Sequence, residues 1–213
     1  MPVITISRQF GAAGVPVGRR LAEHLGAEFL DRAIVAQVAV RAGIPEIELE
    51  TYDERLPTFW QRVAAALTTS SPEVAMPDMV YNDQLSHLST HDRQVAVTRS
   101  VIEEAADRGN AVIVGRGAAF ILAQREDVLH VQLHASMDAR VRYLMSRVDE
   151  VPEEAAPDEK SLRALCVSVD AARADYIRRL FNADWLDARH YDLAVDTGKF
   201  GVDKTVALIE KAL

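Results

Sequence analysis

Short apolar runs alternate with amphipathic stretches along most of this chain. Val3 to Ser7 is a β-branched run suited to a buried strand. Pro16 to Leu25 then sets Val17, Leu21, Ala22 and Leu25 at helical spacing, with Pro16 in the first turn, where its missing N–H costs little, and Gly26 as the stop. Glu28-Phe29-Leu30 forms a second short strand, and Arg32 to Ala42 a helix closed by Gly43. Between Ile44 and Thr68 a helical pattern is broken by Pro45 and Pro57, and Thr69 to Thr90 has little periodicity, as in a long functional or mobile loop. Val95 to Ala106 is helical, Ala111 to Val114 and Val128 to Leu133 are strands, and Met137 to Val148 is a helix. Asp149 to Lys160, acidic with two prolines, reads as an exposed loop or lid. Leu162 to Phe181 is helical, Leu193 to Thr197 is a last strand and Val202 to Leu213 a last amphipathic helix.

Strands alternating with helices predict an α/β fold, a mainly parallel sheet covered on both faces. Ligands in such sheets sit beyond the carboxyl ends of the strands. Ser7-Arg8, Asp31, Gly115-Arg116 and His134-Ala135 all follow expected strands, so residues far apart in sequence meet at one crevice.

Composition narrows the function classes. The chain has 213 residues, 49% of them hydrophobic, enough for one large domain over 1–213 with a sizeable core. A net charge of −8 argues against general nucleic-acid binding, which needs an excess of Lys and Arg, but leaves room for a local basic pocket. Cys166 is the single cysteine, which rules out an internal disulfide and fits a reducing cytoplasm. Neither a membrane-spanning run nor a leader segment is expected, since the first strand begins at once.

The segment from Val3 to Gly18 carries the first chemical signal. A strand runs into Gly11-Ala12-Ala13-Gly14-Val15 and then directly into a helix. Backbone N–H groups there can hold an anion, although the same spacing serves an ordinary strand-to-helix turn. Arg8, one residue past the strand, faces the crevice or pairs with a surface carboxylate. Arg116, between Gly115 and Gly117, can grip a phosphate with both guanidinium edges. Asp31 either orients an acceptor group or caps a helix.

These pieces, in this order, resemble the cytidylate kinase-like family. The carriers are ITISRQFGAAG, RLAEHLGAEFLD ending at Asp31, VIVGRGAAFIL around Arg116, VLHVQLHASMDARVRYL, VDAARADYIRR and DWLDARHYDLAVDT. The resemblance implies a three-layer α/β/α P-loop NTPase-type fold with a mainly parallel central sheet. Core residues 1–30 and 110–213 would carry a helical monophosphate-binding insertion over 31–109 and a lid at about 149–170. It implies ATP and Mg2+ as phosphoryl donor, nucleotides as partners, and CMP or dCMP as acceptor. Phosphates would lie on Gly11, Ala12, Ala13, Gly14 and Val15, with the acceptor between Asp31 and Arg116. Arg8, Arg140 and Arg173 would neutralise the transferring group, the last two from positions flanking the lid.

The sequence departs from the family's authentic kinases at three places. The loop lysine falls on Gly14 and the magnesium-binding hydroxyl on Pro16. A Gly-Arg-Asp element becomes Gly115-Arg116-Gly117, and a monophosphate-binding arginine becomes Gln37. Two functions follow from the same residues: a phosphotransferase whose arginines replace the lysine, or a nucleotide- or phosphate-binding module without turnover. The six histidines form no metal-ligand spacing beyond the i,i+4 pair His87 and His91, so no protein-held metal site is expected. Asp170 and Arg173 are spaced as a simple helical pair, and Trp60 and Trp185 read as packing. The apolar helical segment between Ile44 and Thr90 serves either an internal core or a contact with a second subunit.

Overall fold

The computed structural model describes residues 2–31, 90–147 and 157–213; in the helix that opens at Thr90, side chains are described from Val95 onward. The expected helix at 32–42, the segment 44–89 and most of the acidic stretch, 149–156, lie outside the described residues.

Five strands form one parallel sheet in the order β2-β3-β1-β4-β5: β1 Val3–Arg8, β2 Glu28–Leu30, β3 Ala111–Val114, β4 Val128–His134 and β5 Leu193–Asp196. Both faces are covered, which is why β3 reads as a continuous apolar run and β1 as a β-branched one buried on both sides. On one face Ile4, Ile6, Val112, Val114, Val131, Leu133 and Val195 meet Val17, Leu21 and Ala22 of helix α1, Gly14–Leu25, and Val206 and Ile209 of helix α6, Thr197–Glu210. On the other, Val3, Ala111, Ile113 and Val128 meet Val101, Ile102, Ala105 and Ala106 of helix α2, Thr90–Arg108, and Ala118 of the one-turn helix α3, Ala118–Ile121. A third cluster joins Val141 and Leu144 of α4, Met137–Met145, to Leu162, Leu165 and Cys166 of α5, Glu159–Phe181.

Element boundaries move for local reasons. The expected last helix begins at Val202 because Gly201, at φ 70 and ψ 177, breaks α6; a first turn capped by Asp196 precedes the break. Glu159 and Lys160 belong to α5, because Asp158 caps it by accepting from the Ser161 amide at 2.8 Å. Helix α4 stops at Met145, short of Val148. Helix α3 was not expected, being too short to show a period.

Two buried features set up testable stability effects. Gly18 lets α1 approach the sheet: a Cβ there would stand 2.6 Å from Val114 Cγ2 and 3.1 Å from Phe29 Cε2. Within the sheet, Thr5 Oγ1 and His130 Nδ1 share a 2.7 Å hydrogen bond between neighbouring strands, and burial pulls the imidazole pKa below its ordinary value.

Gly18→Ala should destabilise the protein by about 1–3 kcal/mol in urea denaturation through overpacking, even though alanine favours a helix interior by ~1 kcal/mol. For His130 the unfolded chain takes up the proton first as the solution is acidified. Its contribution is therefore complete above about pH 6.5 and is lost as pH falls through the lower folded-state value. His130→Asn should flatten the part of the urea-midpoint profile that lies below about pH 6.5.

Candidate functional site at the carboxyl ends of the strands

The turn after β1 is tied down on the side of β4. The Gln9 amide donates to the Leu133 carbonyl at 3.0 Å, and Gln9 Oε1 accepts from the Ala135 amide at 3.2 Å. The Thr197 hydroxyl, buried under the turn, donates to the carbonyls of Ala12 at 3.1 Å and His134 at 3.3 Å. Gly11 and Ala13 adopt positive φ, 80 and 51, so the chain reverses sharply into α1. No side chain caps α1. The first-turn amides of Gly14 and Val15 precede the intrahelical ladder, which begins with the Val17 amide donating to Ala13 at 3.1 Å. Val15 is exposed, while Ala12 and Gly14 on either side of the turn into α1 are buried.

On the other side, α4 and α5 hold the entry to the turn. The Phe10 amide donates to Asp170 Oδ1 at 2.8 Å. Arg140 donates to the Asp170 carboxylate and, at 3.3 Å, to the Phe10 carbonyl. Arg173 donates to the Arg8 carbonyl at 2.8 Å and stands 3.6 Å from Asp170. The Phe10 ring joins the α4–α5 apolar cluster and lies 5.9 Å beneath the Arg173 guanidinium. Arg140 is only 7% exposed and turned inward, so in this conformation it supports the loop and does not reach into the crevice.

Arg8 runs across two glycines. A Cβ at Gly14 would lie 2.5 Å from Arg8 Cγ, and one at Gly115 would lie 2.3 Å from Arg8 Nη1. Its stem therefore rests on the start of α1 and its guanidinium on the end of β3. The space beside both glycines is filled by the chain's own arginine.

At the end of β3, three consecutive residues have positive φ: Gly115 at 85, Arg116 at 56 and Gly117 at 70. The Gly115 amide still completes the sheet, donating to Ile6 at 3.0 Å. Arg116 holds a conformation that costs a non-glycine residue about 1–2 kcal/mol, the kind of strain that collects at functional sites. A Cβ on Gly117 would press on the Phe181 ring at 2.9 Å. Asp31 follows β2, whose Leu30 pairs with Ile113, so it stands at the same edge one strand beyond Arg116.

The ends of β1 and β3 thus bring together Arg8, Gly11, Gly14 and Arg116, with Arg140 and Arg173 behind the loop and Asp31 alongside. Asp170, Phe10 and Thr197 were not legible as parts of this site. Asp170 lies 160 residues from its Phe10 partner, and no local spacing marks such a contact. Among the described residues no group of three or more His, Cys, Asp or Glu side chains converges as a metal site would require.

Asp170→Ala removes the acceptor for Phe10 and strands the buried Arg140 charge. It should cost about 3–5 kcal/mol in chemical denaturation, and Asp170→Asn, which keeps an oxygen for the Phe10 amide, should cost less.

Residues 3–199 match the model of the cytidylate kinase-like family. No protein of curated function matches the sequence. Among solved structures, an uncharacterized protein from Eubacterium ventriosum is similar at 20% identity and TM-score 0.68, over 100% of this chain and 98% of that one. Shikimate kinase from Bacteroides thetaiotaomicron is similar at 14% identity and TM-score 0.51, over 99% of this chain and 97% of that one. At such identities the likeness is one of fold, an α/β fold shared with P-loop kinases. With the family match spanning nearly the whole sequence, the chain belongs to the cytidylate kinase-like family.

Proposed function

We propose that the protein is an ATP-dependent phosphotransferase that acts on a nucleoside monophosphate, CMP, dCMP or a related acceptor. The observation that carries this reading is two turns with positive φ, at Gly11 and Ala13 and at Gly115–Gly117, that follow neighbouring parallel strands, with Arg8 lying against Gly14 and Gly115. The donor phosphates would lie at the uncapped end of α1, on the amides of Gly11 and Ala13 to Val15; the expected Ala12 amide is taken by the Gln9 carbonyl at 3.2 Å. Arg116 and Asp31 would hold the acceptor, Arg116 through its forked donors. Phosphoryl transfer asks mainly for positioning and charge neutralisation, which arginines can supply without a loop lysine. Arg173 and Arg140 serve by fixing the backbone from Arg8 to Phe10.

The described residues do not fit a protein-held Mg2+. Position 16 is proline, and the Thr197 hydroxyl is buried beneath the loop, its proton shared between two carbonyls. Mg2+ would arrive on the nucleotide's own phosphate oxygens. A cytoplasmic setting suits Cys166, which is buried with its thiol pKa pushed up by desolvation. No described helix is long and apolar enough to cross a membrane.

A binding module without turnover is the second reading. It is favoured by Gly14, Pro16 and Gly117 standing where a lysine, a hydroxyl and an acid act in the family's authentic kinases. A coupled assay with Mg·ATP and a panel of nucleoside monophosphates separates the two. Turnover that falls roughly 100- to 1,000-fold in Arg116→Ala is the expected result. Thermal stabilisation by ATP or CMP with no turnover would instead establish the binding module, and no response to any nucleotide would defeat both.

A further inference from the structure

We propose that Arg8 takes the place of the missing loop lysine, and that Gly14 and Gly115 are glycines so that its guanidinium can lie between the donor and acceptor phosphates. The inference rests on the phosphotransferase reading and names the group that carries its charge.

Volume is the first argument. A Cβ at position 14 would meet Arg8 Cγ at 2.5 Å, Cβ at 2.9 Å and Cδ at 3.2 Å. Any side chain there, a lysine included, is incompatible with the present path of Arg8. The loop has not lost a cation; the cation enters from the strand through the space that a residue-14 side chain would fill.

The far end of the side chain supplies the second argument. A Cβ at Gly115 would meet Arg8 Nη1 at 2.3 Å, Cζ at 2.9 Å and Nη2 at 3.1 Å, so the guanidinium lies against the turn that presents Arg116. That turn is pinned to β1 by the Gly115 amide on the Ile6 carbonyl at 3.0 Å. The arginine therefore spans the two turns across which a phosphoryl group would move.

Arg8 is also held rigidly. Arg8 is the last residue of β1, in register with Leu133, and its carbonyl is held by Arg173 at 2.8 Å. A charge carried by a sheet strand is already in place before substrate arrives. A guanidinium stays protonated and offers several donors in a plane, so it can contact oxygens of both phosphates at once. In the transfer, the bond from the γ-phosphorus to the ADP oxygen breaks and a bond to the acceptor phosphate oxygen forms. Arg8 gives and takes no proton and stabilises the charge on the moving group.

The test uses the full chain with Mg·ATP and CMP, reading turnover, ATP affinity without acceptor, and the melting temperature of the free protein. Arg8→Ala should lower kcat about 100-fold in protein that remains folded at the assay temperature, and Arg8→Lys should recover part of that loss. Gly14→Ala should lower turnover by displacing Arg8, and Arg8→Ala with Gly14→Ala should be no worse than Arg8→Ala alone. Arg8→Ala with Gly14→Lys should regain at least about tenfold over Arg8→Ala. Wild-type turnover that Arg8→Ala leaves intact would overturn this assignment alone, as would effects of Gly14→Ala and Arg8→Ala that simply multiply. A wild-type protein that neither binds ATP nor turns over would remove the phosphotransferase reading and this assignment with it.

Discussion

Asp170 reaches from the middle of α5 to the Phe10 amide, and the same carboxylate accepts from Arg140 of α4 and lies beside Arg173. Everything at the carboxyl end of β1 depends on that gathering of charges. The two arginines take the carbonyls of Phe10 and Arg8, so successive backbone groups at the start of the loop are held from one side. From the other side Gln9 and Thr197 tie the loop to β4 and its exit. A carboxylate with this little exposure is tolerable only because two cations and an amide satisfy it.

With its entry fixed, the loop can leave the helix that follows it without a side-chain cap. The same fixing aims Arg8. Its backbone cannot shift without breaking the strand register or the Arg173 contact, so its side chain follows the one route that glycines at 14 and 115 leave open. Backbone support, glycine clearance and charge placement are one arrangement here, and each part fails without the others.

The layered fold was legible because it rests on periodicity. Ala111–Val114 is apolar throughout, Val3–Arg8 and Val128–His134 each keep one face apolar, and Val17, Leu21 and Ala22 repeat along α1. The positions of Arg8, Arg116 and Asp31 at strand ends were legible for the same reason. The reach of Arg140 was not: as a basic residue beside the lid it reads as a phosphate ligand, and only the contact with Asp170 shows it facing the loop's underside. Nor could the sequence reveal what occupies the space above Gly14 and Gly115. A glycine signals that room is needed, and the occupant comes from another part of the chain.

The turn from Gly115 to Gly117 has a consequence for how this sequence can drift. All three of its positions resist exchange through positive φ, and each has a constraint of its own besides. At 115 the Arg8 guanidinium blocks a side chain, at 116 the backbone angle penalises β-branched shapes, and at 117 the Phe181 ring closes the gap. Relief at one position does nothing for the next. Phe181 also stacks with Phe120, centroids 5.5 Å apart, so altering it to relax 117 would disturb the aromatic group behind the turn. Mutational tolerance should thus be narrowest over this short stretch, while the exposed faces of the surrounding helices remain free to vary.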